Sequence, residues 1–228
     1  MRYTKLQAKA KLGLALRGVF ALSNTEMAMA PFTRSEKPDL TAFDPHVMAN
    51  LETSMWKGYY SHNYLTLLAD LIRSSIHVRF SPISTIRISI YAAVAAVIFK
   101  KSKSREEAQK ALPILTKYFE SIMPGSPVGY SANVAAKAEL EWWQARREHA
   151  HPREYGRYIA QVTSLIYGVD ADLIAQACLT RAEAMAYRDS KGRNIESDDW
   201  KKIEEMLLSA YSDLKRVVAN RWKDYHVV

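Results

Sequence analysis

From Asp44 onward the apolar residues recur at intervals of three and four, and the one alternating run, Arg87-Ile-Ser-Ile90, is four residues long in an alanine-rich context. A 3.6-residue period lines one face of a helix, whereas a half-buried strand needs a period of two. The chain is thereby confined to an all-α fold. The last segment shows the pattern most cleanly: Trp200, Ile203, Leu207, Ala210, Leu214 and Val217 form one stripe behind a cap at Ser197.

Capping residues place the other helices. Asp44-Pro45 is an N-cap followed by proline at the first helical position, and it predicts a helix to about 60 with Val47, Met48, Leu51, Met55 and Tyr59 on one stripe. Further helices are expected over 62–78, 84–100, 131–149, 152–167 and 170–188. Another is expected over 104–122, behind the capping box Ser104-Arg-Glu-Glu107 and kinked at Pro113. The helix over 84–100 is apolar on all sides, the pattern of a helix surrounded by others. A single bundle of about seven helices is expected over residues 41–226, with its strongest internal break near 123–130, at Pro124-Gly-Ser-Pro127.

Residues 1–40 read as a basic N-terminal extension. Lys5, Lys9 and Lys11 precede the apolar Leu12–Leu16 and Val19–Leu22, and Ala28-Met-Ala30 imitates a signal-peptidase site. Arg17 interrupts the apolar stretch and Pro31 would follow the cut, so an amphipathic arm is expected rather than a cleaved leader. The longest uncharged stretch, Ile88–Phe99, falls short of the roughly 18–20 residues that span a bilayer. An integral membrane protein is not expected. The single cysteine, Cys178, excludes a disulfide framework and a cysteine-based zinc site, and a soluble protein of the reducing cytoplasm is expected.

The net charge of +8 is unevenly spread: residues 1–105 hold 15 Lys/Arg against 6 Asp/Glu, and the remainder is close to neutral. Between Thr53 and Arg105 the only acid is Asp70. Such asymmetry suits nucleic acid or an anionic surface, although a basic half lying against an acidic half would neutralise itself.

The run Glu139-Leu-Glu-Trp-Trp-Gln-Ala-Arg-Arg-Glu-His-Ala-His151 concentrates indoles, carboxylates, guanidiniums and imidazoles in about three helical turns. At 100° per residue Val134, Ala138, Trp142, Ala145 and His149 share a face, with Glu141 and Glu148 along one edge and Trp143 pointing away. In the 170–188 helix, Arg181 and Arg188 fall inside the apolar stripe of Leu173, Ile174, Ala177, Ala184 and Met185. A buried guanidinium needs a partner. Both charge pairs are spaced by seven, so the expected structural ion pairs are Glu141 with Arg181 and Glu148 with Arg188.

The same residues support a ligand-site reading, with Glu52, Trp56, Glu141, Trp142, His149, Arg181 and Glu183 as candidates. Glu148-His-Ala-His151 is a Glu-x-x-His, and with Glu52, Glu141 and Glu183 it would supply the carboxylates and His151 of a two-metal helical site. That architecture needs a second Glu-x-x-His, which the chain lacks, so no metal is expected. Phosphate-loop, dinucleotide and nucleophile-elbow motifs are missing from the sequence, and no cofactor is expected. The leading reading is a non-catalytic binding or scaffold protein whose partner is another protein or a second copy, engaged through the first 40 residues. The alternatives are a helical-bundle enzyme with a carboxylate/histidine metal or small-ligand site, and nucleic-acid or anionic-surface binding by the basic half.

Overall fold

The computed structural model describes residues 37–223, and every element within them is helical. Eight helices of eleven or more residues follow one another: α1 (Pro45–Tyr60), α2 (Tyr64–His77), α3 (Pro82–Lys101), α4 (Leu112–Ile122), α5 (Ala132–Arg147), α6 (Pro152–Tyr167), α7 (Ala171–Lys191) and α8 (Ser197–Trp222). The expected N-terminal extension lies outside the described residues as far as 36, and its last residues enter a 3₁₀ turn at Leu40–Ala42.

Local chemistry sets the starts. Asp44 Oδ1 accepts from the amides of His46 and Val47 at 2.8 and 3.0 Å, and Ser81, Ser131, His151 and Asp170 cap α3, α5, α6 and α7 in the same way. The cap of α8 is Glu196 rather than Ser197, because Asp199 reaches back to the Glu196 amide at 3.0 Å in a capping box. The expected 104–122 helix is divided. A four-residue turn, Arg105–Ala108, passes through a 3₁₀ turn into α4, because Pro113 has no amide to continue the ladder and instead occupies the first turn of a new helix.

Three helices end on a left-handed residue that is not glycine. His62, Arg79 and His149 have φ of 58°, 68° and 61° after α1, α2 and α5. In each, that amide reaches the carbonyl three residues back and the next amide the one five back; for α5 these are His149 to Arg146 and Ala150 to Ala145, both 3.0 Å. This is the Schellman arrangement, which satisfies the terminal carbonyls. His149, which helical projection had placed on a binding face, is exposed and serves as this terminator.

Each helix packs against its neighbours in the chain, and α8 returns to α1, so the order of contacts is a closed circuit. The principal core runs through Phe43, Leu115, Phe119, Tyr155, Ile159, Ile174, Met185 and Val218, while Ala49, Ala184, Ile203 and Leu207 fill the seam between α1, α7 and α8. Residues 37–223 cluster as one compact unit. Within it, Ser126 in the 123–130 stretch donates to the Ile166 carbonyl at 2.6 Å.

Burial departs from expectation for α3 and for Val134, whereas α5 is buried on two sides as its out-facing Trp143 implies. α3 is peripheral rather than surrounded, packing on α2, α4 and the 105–111 turn and leaving Ile83, Ile90, Val94 and Val97 exposed. Helix α5 is buried on two sides, against α4 and α6, so Ala135, Ala136, Ala138, Leu140, Trp142 and Ala145 are all interior while Val134 is exposed. The out-facing Trp143 packs on Phe99 of α3 at 5.2 Å between ring centroids and donates Nε1–H to Glu139 at 3.0 Å.

Candidate functional site

Neither expected ion pair forms, and the partners come from elsewhere in the chain. Arg181 of α7 binds Glu52 of α1, with Nε 3.0 and 3.2 Å from the two carboxylate oxygens and Nη2 2.6 Å from Oε1. Glu52 is 3% exposed, and Tyr211 of α8 donates its hydroxyl to the same carboxylate at 2.5 Å. Burial alone would lower the Arg181 pKa; the adjacent carboxylate outweighs this and raises it. Burial and the Glu52 charge drive the Tyr211 phenol well above its usual range.

Glu141 and Glu148 are instead clasped by one guanidinium, Arg105, just after α3. Arg105 Nη1 lies 3.3 Å from Glu141, and its Nε (2.8 Å) and Nη2 bind Glu148. The two acids face the turn that begins at Arg105, and that guanidinium occupies both. Arg188 stacks on Tyr60, its guanidinium carbon 3.1 Å from the ring centre, and approaches Asp189 at 3.5 Å. The α5–α7 bridge at this level has the reverse polarity: Arg146 makes two bonds of 3.0 Å to Asp189 and a third to the Tyr60 hydroxyl.

The proposed metal set is dispersed. Glu52 is enclosed by Arg181 and Tyr211, Glu141 and Glu148 face Arg105, His151 caps α6 through its Nδ1 to the Arg153 amide at 3.2 Å, and Glu183 is exposed. Among the described residues no three His, Cys, Asp or Glu side chains gather to hold an ion. Of the seven nominated ligand residues, the structure brings together Glu52, Arg181 and Trp142, whose ring lies 5.9 Å from the Arg181 guanidinium, with Trp56 half-buried against the core nearby. Glu141, His149 and Glu183 lie outside this group.

Sequence reading missed two of its members, Tyr211 and Glu139. Tyr211 sits beside the stripe of α8, where a phenol can bury its ring and turn its hydroxyl inward. Glu139 accepts from Trp143, and burial pushes its carboxyl above the usual range, with Trp142, Arg181 and Trp143 drawing it partly back.

Beside this cluster lies a half-open cavity of about 160 Å³, with an apolar wall of Met48, Ile159, Ala177, Ala210 and Leu214. Arg181, Tyr211, Tyr167, Thr163 and Cys178 supply its polar atoms. Burial pushes the Cys178 thiol up to about 11, so it is protonated and unreactive at neutral pH.

A second feature lies outside the cluster, on α3. Of its exposed residues, those at 83, 87, 90, 94, 97 and 101 follow a four-three alternation, with Pro82 and Lys100 beside the line at its two ends. Ile83 is 74% exposed, and Ile90, Val94 and Val97 are about 40% exposed, with Arg87 and Lys101 in the same line. On α2, Leu65 and Ile76 are 56% and 55% exposed. Asp70, the one acid in this stretch, is buried, with Oδ1 3.1 Å from Arg73. By length and composition α3 is apolar enough to cross a membrane.

Fold and site together define an all-α helical bundle with a buried Glu–Arg–Tyr cluster and an exposed apolar helix. No family model, no curated protein and no solved structure matches the chain.

Proposed function

We propose that this is a non-catalytic binding protein whose partner is an amphipathic helix carrying acidic residues beside its apolar stripe, laid along α3. The observation that carries this reading is the four-three spacing of Ile83, Ile90, Val94 and Val97 on the exposed side of α3. That spacing is the seam of a helix–helix contact, and β-branched residues suit it. An apolar stripe of this size left open to water marks an interaction surface.

Charge selects the partner. Arg87 and Lys101 interrupt the stripe, and α3 contains no carboxylate, so two copies of this face would bring like charges together. An acidic helix pairs with both cations. The same features lend some support to an anionic membrane surface, which also takes apolar side chains rimmed by cations. A bilayer, however, has no requirement for the four-three period.

Two fluorescent heptad peptides test the reading, one with glutamate and one with lysine flanking the same Ile/Leu seam, alongside vesicles of phosphatidylcholine with and without phosphatidylserine. The glutamate peptide should bind at least ten-fold tighter than the lysine peptide, and Val94→Glu should abolish binding without loss of helicity. Equal affinity for the two peptides, or a preference for phosphatidylserine vesicles over both, would sink the proposal.

A further inference from the structure

We infer that the cavity beside the Glu52–Arg181–Tyr211 cluster is a binding site for a neutral molecule of single-ring size that carries one hydrogen-bond-accepting oxygen. The size follows from the volume: about 160 Å³ is close to that of engineered apolar cavities that take up benzene. An apolar body is favoured by the walls of Met48, Ile159, Ala177, Ala210 and Leu214.

The polar requirement comes from an inventory of the lining groups. The Tyr211 hydroxyl is engaged with Glu52, the Thr163 hydroxyl donates to the Ile159 carbonyl at 2.8 Å, and the Cys178 thiol points to Thr163 Oγ1 at 3.9 Å. Two donors are left over. Arg181 uses Nε and Nη2 on Glu52, while its Nη1 and the Tyr167 hydroxyl make no hydrogen bond with any described residue. Both donors remain open to the water-connected mouth of the cavity, and a ligand that displaces that water keeps its affinity only by supplying an acceptor in its place.

Net charge excludes an anion as that acceptor. The Arg181 guanidinium already faces the Glu52 carboxylate and feels Glu139 as well. A further negative charge would enter beside these two carboxylates, with the one guanidinium already matched. The site therefore suits an alcohol, phenol or ketone oxygen on an apolar frame, and it stands independently of the α3 surface.

Titration of the purified full chain with phenol, its isostere toluene, and benzoate, followed by amide chemical shifts, tests the assignment. Phenol should bind saturably and at least ten-fold more tightly than toluene or benzoate, with shifts concentrated at 177–181 and 210–214. Tyr167→Phe should weaken phenol five-fold or more and leave toluene unchanged. Ala177→Leu should fill the cavity and remove binding of both; if that variant does not fold, Ala210→Val reads the same property with a smaller side chain. Toluene binding more tightly than phenol would overturn the inference, because a plain apolar void rejects a group that must leave its hydrogen bonds in water. Tightest binding by benzoate would overturn it as well, and so would the lack of any saturable shift with phenol.

Discussion

Arg181 and Glu52, 129 residues apart in the chain, meet through three N–H···O contacts of 2.6–3.2 Å and join α7 to α1 in the interior. With Tyr211 on the same carboxylate, three helices converge on one charge pair. Removing one partner leaves the other charge buried and alone. Arg181→Met should lower unfolding free energy by about 3–5 kcal/mol, whereas Glu52→Leu/Arg181→Met should cost clearly less than the two single changes summed. Urea unfolding of the four proteins in this cycle measures the coupling, and additive losses would contradict it.

The left-handed terminators offer a gain in stability. His62 and His149 hold φ near +60°, a conformation that glycine adopts without the side-chain penalty. His62→Gly and His149→Gly should each raise stability by about 1 kcal/mol, read as a higher urea midpoint at unchanged slope. A loss at His149 would show that its imidazole does more than end α5.

Arg147 finishes a helix to which it does not belong. Its Nη1 donates to the Phe99 and Ser102 carbonyls at 3.3 and 3.1 Å, at the end of α3, while its guanidinium lies over the Phe99 ring at 4.3 Å. Arg147→Leu should cost about 2 kcal/mol, since the Ser102 carbonyl loses its charged donor and the Phe99 carbonyl one of several. Amide exchange should accelerate selectively at 98–102.

Acid stability has a definite sign. Hydrogen bonding to Arg105 holds the Glu148 carboxyl below its ordinary range, and Lys191 and Tyr187 do the same for Asp199. A carboxyl whose folded pKa is depressed contributes stability above its unfolded pKa, roughly 4, and that contribution disappears as pH falls through the folded value. Glu148→Gln should therefore lower the melting temperature at pH 7 and converge on the parent protein in strong acid. Glu139, raised by burial, acts in the opposite direction: its contribution falls as pH rises from the ordinary carboxyl pKa to its own.

Much of the local structure was legible because its causes are local. Asp44-Pro45, Asp170 and the stripe of α8 announce their helices within a few residues of themselves, and all three are where the pattern placed them. The candidate site was legible in part. Arg181 stood out as a guanidinium inside an apolar stripe, and that inference needs nothing beyond the period of one helix. The partner that spacing selects, Glu141, is not the one it meets, because the choice of carboxylate depends on which helices touch.

What the sequence determined by itself was an all-α chain, the starts of most of its helices, and the requirement that Arg181 find a carboxylate. Tertiary structure alone decided that the carboxylate is Glu52, that Arg105 takes both Glu141 and Glu148, and that the most apolar helix, α3, lies at the edge with its stripe uncovered. The reason is range. Capping and periodicity act over one or two turns of backbone, whereas ion pairing and burial depend on the order in which eight helices close on one another, and no single stripe encodes that order.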